Sequence, residues 1–170
     1  MSDVYLDLIE TVKNAEIVAK AFNIEPFPIY FLGGSACILG KYSDRATKDI
    51  DFVDIGYSAK AGKVFAMFKD YDMLEYESTI LSPKYKERAI KLPEFKYFDV
   101  FVISKEDIIV SKIIRMARKD IEDINILIND SDKKIISEII EEVLQRPDLY
   151  ESKKQAFANN LPLFKEMYNV

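Results

Sequence analysis

The sequence predicts an α+β fold in which a mixed α/β half, residues 1–104, is followed by a helical part, residues 105–170, of the same single domain. Three observations carry this. Short β-rich apolar runs alternate with helical spacing as far as Ile103, and from Ser104 onward the apolar residues recur only at helical intervals. The length of 170 residues suits one domain with a real core, and the balance of 49% apolar to 31% charged residues is that of a folded chain.

Each element has its own signal. From Ser2 to about Phe22, Val4, Leu8, Ile9, Val12, Ile17, Val18 and Ala21 recur at near-helical spacing, with Ser2 or Asp3 as cap. Pro26 and Pro28 stop that helix, and Ile29–Leu32 reads as a buried strand ending in a tight turn at Gly33 and Gly34. Residues Ser35–Leu39 form a short helix and Lys41–Lys48 a polar loop. In Ile50–Val53 acid and apolar groups alternate, as in a strand between a cleft and a core, so Asp49 and Asp51 project to one side.

Lys60–Lys69 reads as a helix, and Met73–Tyr76, Glu87–Leu92 and Tyr97–Ile103 as strands. Ser104 with Asp107 is a variant capping box opening a helix whose buried stripe holds Ile109, Ile113 and Met116. Three further helices are expected over Asp120–Ile128, Asp132–Leu144 and Ser152–Tyr168, with breaks near Asn129 and at Pro147. The stretch Asn129–Asp132 lacks the glycine and the closing acid of a calcium loop and reads as a helix cap.

Composition narrows the chemistry. With no histidine, a Ser-His-Asp triad and a His-ligated zinc site are excluded, and a metal would need oxygen ligands, which points to magnesium, manganese or calcium. Cys37 is the only cysteine, so no intrachain disulfide forms. A net charge of −5 gives no overall attraction to nucleic acid, although a local basic groove is compatible with it. No segment reaches the ~18 apolar residues of a membrane span, and the opening MSDVYLDLIE is not a leader, so no membrane partner and a cytoplasmic location are expected.

Two elements together carry chemistry. Asp49 and Asp51, two positions apart on a strand, converge within reach of divalent ions, whereas alone such a pair is more often a solvated strand end. Gly33-Gly34-Ser35 follows an apolar strand and opens a helix, an arrangement that lets backbone amides approach a phosphate, although an isolated glycine turn is commonplace. In this order, separated by a short loop, they are far more specific.

The stretch Phe31–Ala36 followed by Arg45-Ala46-Thr47-Lys48-Asp49-Ile50-Asp51 resembles the Gly-Ser…Asp-x-Asp signature of the nucleotidyltransferase superfamily with its DNA-polymerase-β-like core. In its Arg-x-Thr-x-Asp-x-Asp form it is most similar to the branch holding the toxins of AbiE-type toxin–antitoxin systems. The resemblance spans roughly Phe31–Leu127 and implies a nucleotidyltransferase-like mixed sheet flanked by helices. It implies a third carboxylate at Asp99, inside an apolar run where an acid is costly unless it meets a cation or a hydrogen-bond donor. It also implies that Lys112, with Arg118, Lys119, Asp120 and Asp123, completes the site from the helical part.

The activity so implied is transfer of a nucleoside monophosphate from a nucleoside triphosphate, ATP among them, to a hydroxyl of RNA (tRNA included), protein or a small molecule. Two Mg²⁺ or Mn²⁺ ions would be held by Asp49, Asp51 and Asp99, with Asp99 acting as or orienting the general base. Gly33, Gly34 and Ser35 would grip the phosphates, and Arg45, Thr47, Lys112, Arg118 and Asp120 would line the nucleotide site. An antitoxin is the implied protein partner. A non-catalytic nucleotide- or partner-binding module on the same fold is the alternative, favoured by a short chain with little room for an acceptor domain. A sugar-nucleotide glycosyltransferase also uses an Asp-x-Asp metal site, but the glycine turn and Asp99 argue against it.

Overall fold

A computed structural model describes residues 2–45 and 49–170. The mixed α/β class expected from the sequence is what the chain adopts: a five-stranded mixed sheet with helices. The chain forms two compact units, one made of residues up to Leu74 with Ala89–Ile103, the other of Glu75–Arg88 with Ser104–Val170.

In the first unit, helix α1 (Asp3–Ala21) starts at Ser2, whose hydroxyl accepts from the Tyr5 amide. Its buried face is Tyr5, Leu8, Ile9, Val12, Ala15 and Ala19, at the i, i+3, i+4 spacing that lays one stripe on a core. Ile17, expected on that stripe, is 63% exposed, because position 17 lies off this face. Strand β1 (Pro28–Leu32) runs into α2 (Gly33–Leu39), followed by β2 (Ile50–Asp54). The Lys60–Lys69 helix is a broken one: 3-10 turns at Ala59–Ala61 and Ala66–Phe68 flank α3 (Gly62–Phe65).

Strand β3 (Tyr71–Glu75) closes one edge of the sheet. The strand expected over Glu87–Leu92 is instead helix α4 (Tyr85–Arg88), which belongs to the second unit, and a two-residue strand β4 (Ile90–Lys91). With β5 (Asp99–Val102) the order is β3-β2-β1-β5-β4. Central β1 pairs antiparallel with β2 and parallel with β5. One face of the sheet carries Phe31 and Phe52 into an aromatic core with Phe65 and Phe68.

The second unit is helical: α5 (Lys105–Lys112), α6 (Arg118–Leu127), α7 (Lys133–Leu144) and α8 (Glu151–Tyr168), the last continuing through Pro162. Ser104 caps α5, its hydroxyl accepting from the Asp107 amide and donating to the Asp107 carboxylate, without the return bond to the Ser104 amide that would complete a capping box. Asp132 caps α7 by accepting from the Lys134 amide, as its position before an apolar stripe predicts. Among the described residues no helix is long and apolar enough to cross a membrane.

Candidate active site

Strand β1 ends at Leu32 with extended backbone, and the chain then turns at Gly33, whose φ of +61° is left-handed and suits glycine. Antiparallel pairing sets Asp51 opposite Leu32, beside that turn. The carboxylate of Asp51 occupies the space a side chain on residue 33 would need: a Cβ there would lie 2.7 Å from Oδ2. Gly33 is thus required twice, by its backbone angle and by the acid packed on it. Alternation places Asp49, exposed just before β2, on the same side of the sheet as Asp51.

Ser35 lies one turn into α2 and is fully buried. Its hydroxyl donates to the Leu32 carbonyl at 3.0 Å, has the Asp51 carbonyl at 3.3 Å as a second acceptor, and accepts from the Asp51 amide at 3.2 Å. The group expected to meet a phosphate therefore links the glycine turn to the backbone of the Asp-x-Asp strand. Downstream of α2, the Tyr42 amide donates to the Cys37 carbonyl and its hydroxyl to the Ile103 carbonyl. Ser43 Oγ then accepts from the Arg45 amide. Thr47, expected in the nucleotide site, lies outside the described residues.

Asp99 corrects the sequence reading. It pairs across β1 with Pro28, while Asp51 pairs with Leu32, so the two acids flank opposite ends of the same strand. Four residues of rise and two strand spacings separate their backbones by about 16 Å, whereas carboxylates sharing one magnesium each lie ~2.1 Å from it. Alternation does set Asp99 and Asp51 on one face, but the parallel register of β5 against β1, which no local pattern encodes, decides where along that face each falls. Asp99 meets a cation of its own, Lys91 Nζ at 2.8 Å, with both side chains more than half exposed. Burial raises the pKa of the Tyr30 phenol, and the Asp99 charge raises it further. Among the described residues no group of three or more Asp, Glu or Cys side chains is placed to hold a metal ion.

The residues expected from the helical part lie in the second unit. Lys112 Nζ is 2.8 Å from Asp123 Oδ2 and 3.8 Å from Asp120 Oδ1. Arg115, which sequence reasoning missed, grips Asp120 with two bonds of 2.7 and 2.8 Å. Asp120 also accepts from the Ala117 amide at the start of α6. Burial alone would raise the Asp120 pKa, but the Arg115 bonds, the Ala117 amide and the Lys112 charge together bring it below the ordinary carboxylate value. Arg118 is almost fully exposed and pairs along its helix with Glu122. The signal for Arg115 was an acid at the third position of a helix whose cap, Ala117, has no side-chain acceptor, which left Asp120 to cap the backbone and attract a cation.

A protein-family model described as "Nucleotidyltransferase of unknown function (DUF6036)" matches residues 8–167, nearly the whole chain. The chain belongs to this family. Comparison with curated proteins and with solved structures returned no match. In this nucleotidyltransferase, Asp51 packs on the Gly33 turn, and Asp49 stands two residues before it, exposed at the start of β2.

Proposed function

We propose that this nucleotidyltransferase moves a nucleoside monophosphate from a nucleoside triphosphate to a hydroxyl acceptor, with Mg²⁺ or Mn²⁺ carried by Asp49 and Asp51. The observation that supports this most is the packing of the Asp51 carboxylate directly on Gly33. Magnesium commonly takes one or two protein carboxylates and completes its shell with water and phosphate oxygens, and this donor set fits that habit without Asp99. Bound there, the ion would neutralise charge on the phosphates. Backbone amides at Gly33 and Gly34 would face the phosphate oxygens. The acceptor oxygen attacks the α-phosphorus, the bond from that phosphorus to the bridging oxygen breaks, and pyrophosphate leaves with the electron pair. The hydroxyl proton passes to the exposed Asp49 carboxylate, the role first expected of Asp99.

RNA, a protein or a small molecule remain the acceptor classes, and a toxin paired with an antitoxin is the biological setting that the resemblance supports. The direct test incubates the protein with labelled nucleoside triphosphates, magnesium and total RNA. Labelling that disappears in an Asp49→Ala, Asp51→Ala double variant is expected, and equal labelling by the two proteins would dismiss the reading. Growth arrest on induction, lost in the same variant, is the expected outcome for a toxin.

One observation favours a second reading, a non-catalytic nucleotide-binding module: the third carboxylate stands at the far end of β1, paired with Lys91. Calorimetric binding of nucleotide with no turnover over any acceptor class would select it.

A further inference from the structure

We infer that Ser35 is a positioning residue, whose hydroxyl sets the Asp51 carboxylate against Gly33 and does not itself touch the phosphate. The inference deepens the nucleotidyl-transfer reading and rests on it for the identity of the ligand. A hydroxyl has one proton to give and two lone pairs to receive. In Ser35 the proton goes to the Leu32 carbonyl at 3.0 Å, with the Asp51 carbonyl at 3.3 Å as the other acceptor, and a lone pair takes the Asp51 amide at 3.2 Å. The side chain is wholly shielded from solvent. Donating to a phosphate would mean breaking these bonds inside the protein and leaving buried backbone groups unsatisfied.

What these bonds hold is the point where tolerance is least. Leu32 and Asp51 face each other in the last paired step before β1 turns at Gly33. There the ladder stops constraining the strand. The Ser35 hydroxyl reaches across 16 positions of sequence to grip the Asp51 amide and carbonyl, continuing the link beyond the ladder. Asp51 Oδ2 lies so close to Gly33 that even a methyl group does not fit between them. Ion ligands must sit within about 0.5 Å of their productive geometry, so a strand freed to slide by a few tenths of an ångström loses part of its grip.

The test uses the full chain with Ser35→Ala and Ser35→Thr, each in the wild-type and Asp51→Asn backgrounds. Manganese affinity is read by electron paramagnetic resonance with a non-hydrolysable nucleoside triphosphate analogue present, and analogue affinity without metal by calorimetry. Ser35→Ala is expected to weaken manganese binding about tenfold, the worth of one buried hydrogen bond, while metal-free analogue affinity stays within about twofold. Ser35→Thr, which keeps the hydroxyl, is expected to restore most of the loss, and Ser35→Ala to weaken manganese no further when Asp51 is already Asn. A tenfold fall in metal-free analogue affinity with manganese binding intact would overturn the inference, because the hydroxyl would then be a phosphate ligand.

Amide hydrogen exchange at Asp51 gives an independent reading in folded Ser35→Ala protein. Faster exchange there, with the core of α1 unchanged, is expected, and unchanged exchange at Asp51 would also overturn the inference. Wild-type protein that binds neither manganese nor the analogue defeats the nucleotidyl-transfer reading, while the Asp51 exchange still decides whether Ser35 positions the strand.

Discussion

Gly33 is the residue on which backbone and chemistry meet. Its left-handed φ costs a side-chain-bearing residue about 1–2 kcal/mol, and the Asp51 oxygen at 2.7 Å from a Cβ adds a steric cost on top. Gly33→Ala should therefore lower stability by about 2 kcal/mol and abolish manganese binding at the site; retention of wild-type affinity in a folded variant would show that Asp51 is not the ligand. The acid pair and the glycine turn were both legible in the sequence, because each is a local pattern. Ser35's partners were not, since they are backbone groups, one of them 16 residues away.

Asp120 shows the same limit. Its folded pKa lies below the ordinary value, so its contribution to stability is whole above the unfolded carboxylate pKa and is lost as the pH falls through the folded one. Urea midpoints measured from pH 6 down to pH 2 should fall less steeply for Asp120→Asn than for the wild type, and parallel slopes would contradict the assignment. That variant should also be about 1 kcal/mol less stable at pH 7, a loss moderated because the Arg115 side chain is 69% exposed to solvent.

At the scale of elements, strand β5 carries the main revision. Its existence, its alternation and the unusual acid at its head were readable, but register is set by which strand it meets and where. Asp99→Asn is predicted to leave manganese and nucleotide affinity within twofold of wild type, and to change stability by less than about 1 kcal/mol because its pair with Lys91 is open to solvent. A large loss of metal affinity would restore Asp99 to the site. The same lesson applies to Glu87–Leu92, whose β-like composition is divided between the end of α4 and the two residues of β4.

The connection between α7 and α8 hides an element the sequence did not announce. Arg146, next to the expected break at Pro147, is buried and donates to the carbonyls of Tyr76, Thr79 and Leu81 while stacking on the Tyr76 ring. It pins Glu75–Arg88 to the helical unit. Arg146→Met should destabilise that unit by about 3 kcal/mol by orphaning these carbonyls, as read by hydrogen exchange at Thr79 and Leu81. Arg146→Lys should recover little, because one ammonium cannot serve a planar fork of acceptors.

Across the whole molecule, the α+β class was legible because hydrophobic period changes with secondary structure, and a helical stripe is hard to mistake over α7. The membership of Glu75–Arg88 in the helical unit was not, since it depends on long-range partners such as Arg146 and on the Arg88–Asp107 pair. The family match covers both units, so the nucleotidyltransferase assignment concerns the chain as a whole. A divalent ion and a polyphosphate are expected to meet at the Asp49–Asp51 end of β1. Anomalous diffraction from crystals soaked with manganese and a non-hydrolysable nucleoside triphosphate measures this most directly. The expected result is a manganese peak about 2.1 Å from an Asp51 carboxylate oxygen, within reach of Asp49 and with phosphate beside Gly33. A peak at Asp99, or phosphate bound away from the Gly33 turn, would contradict it.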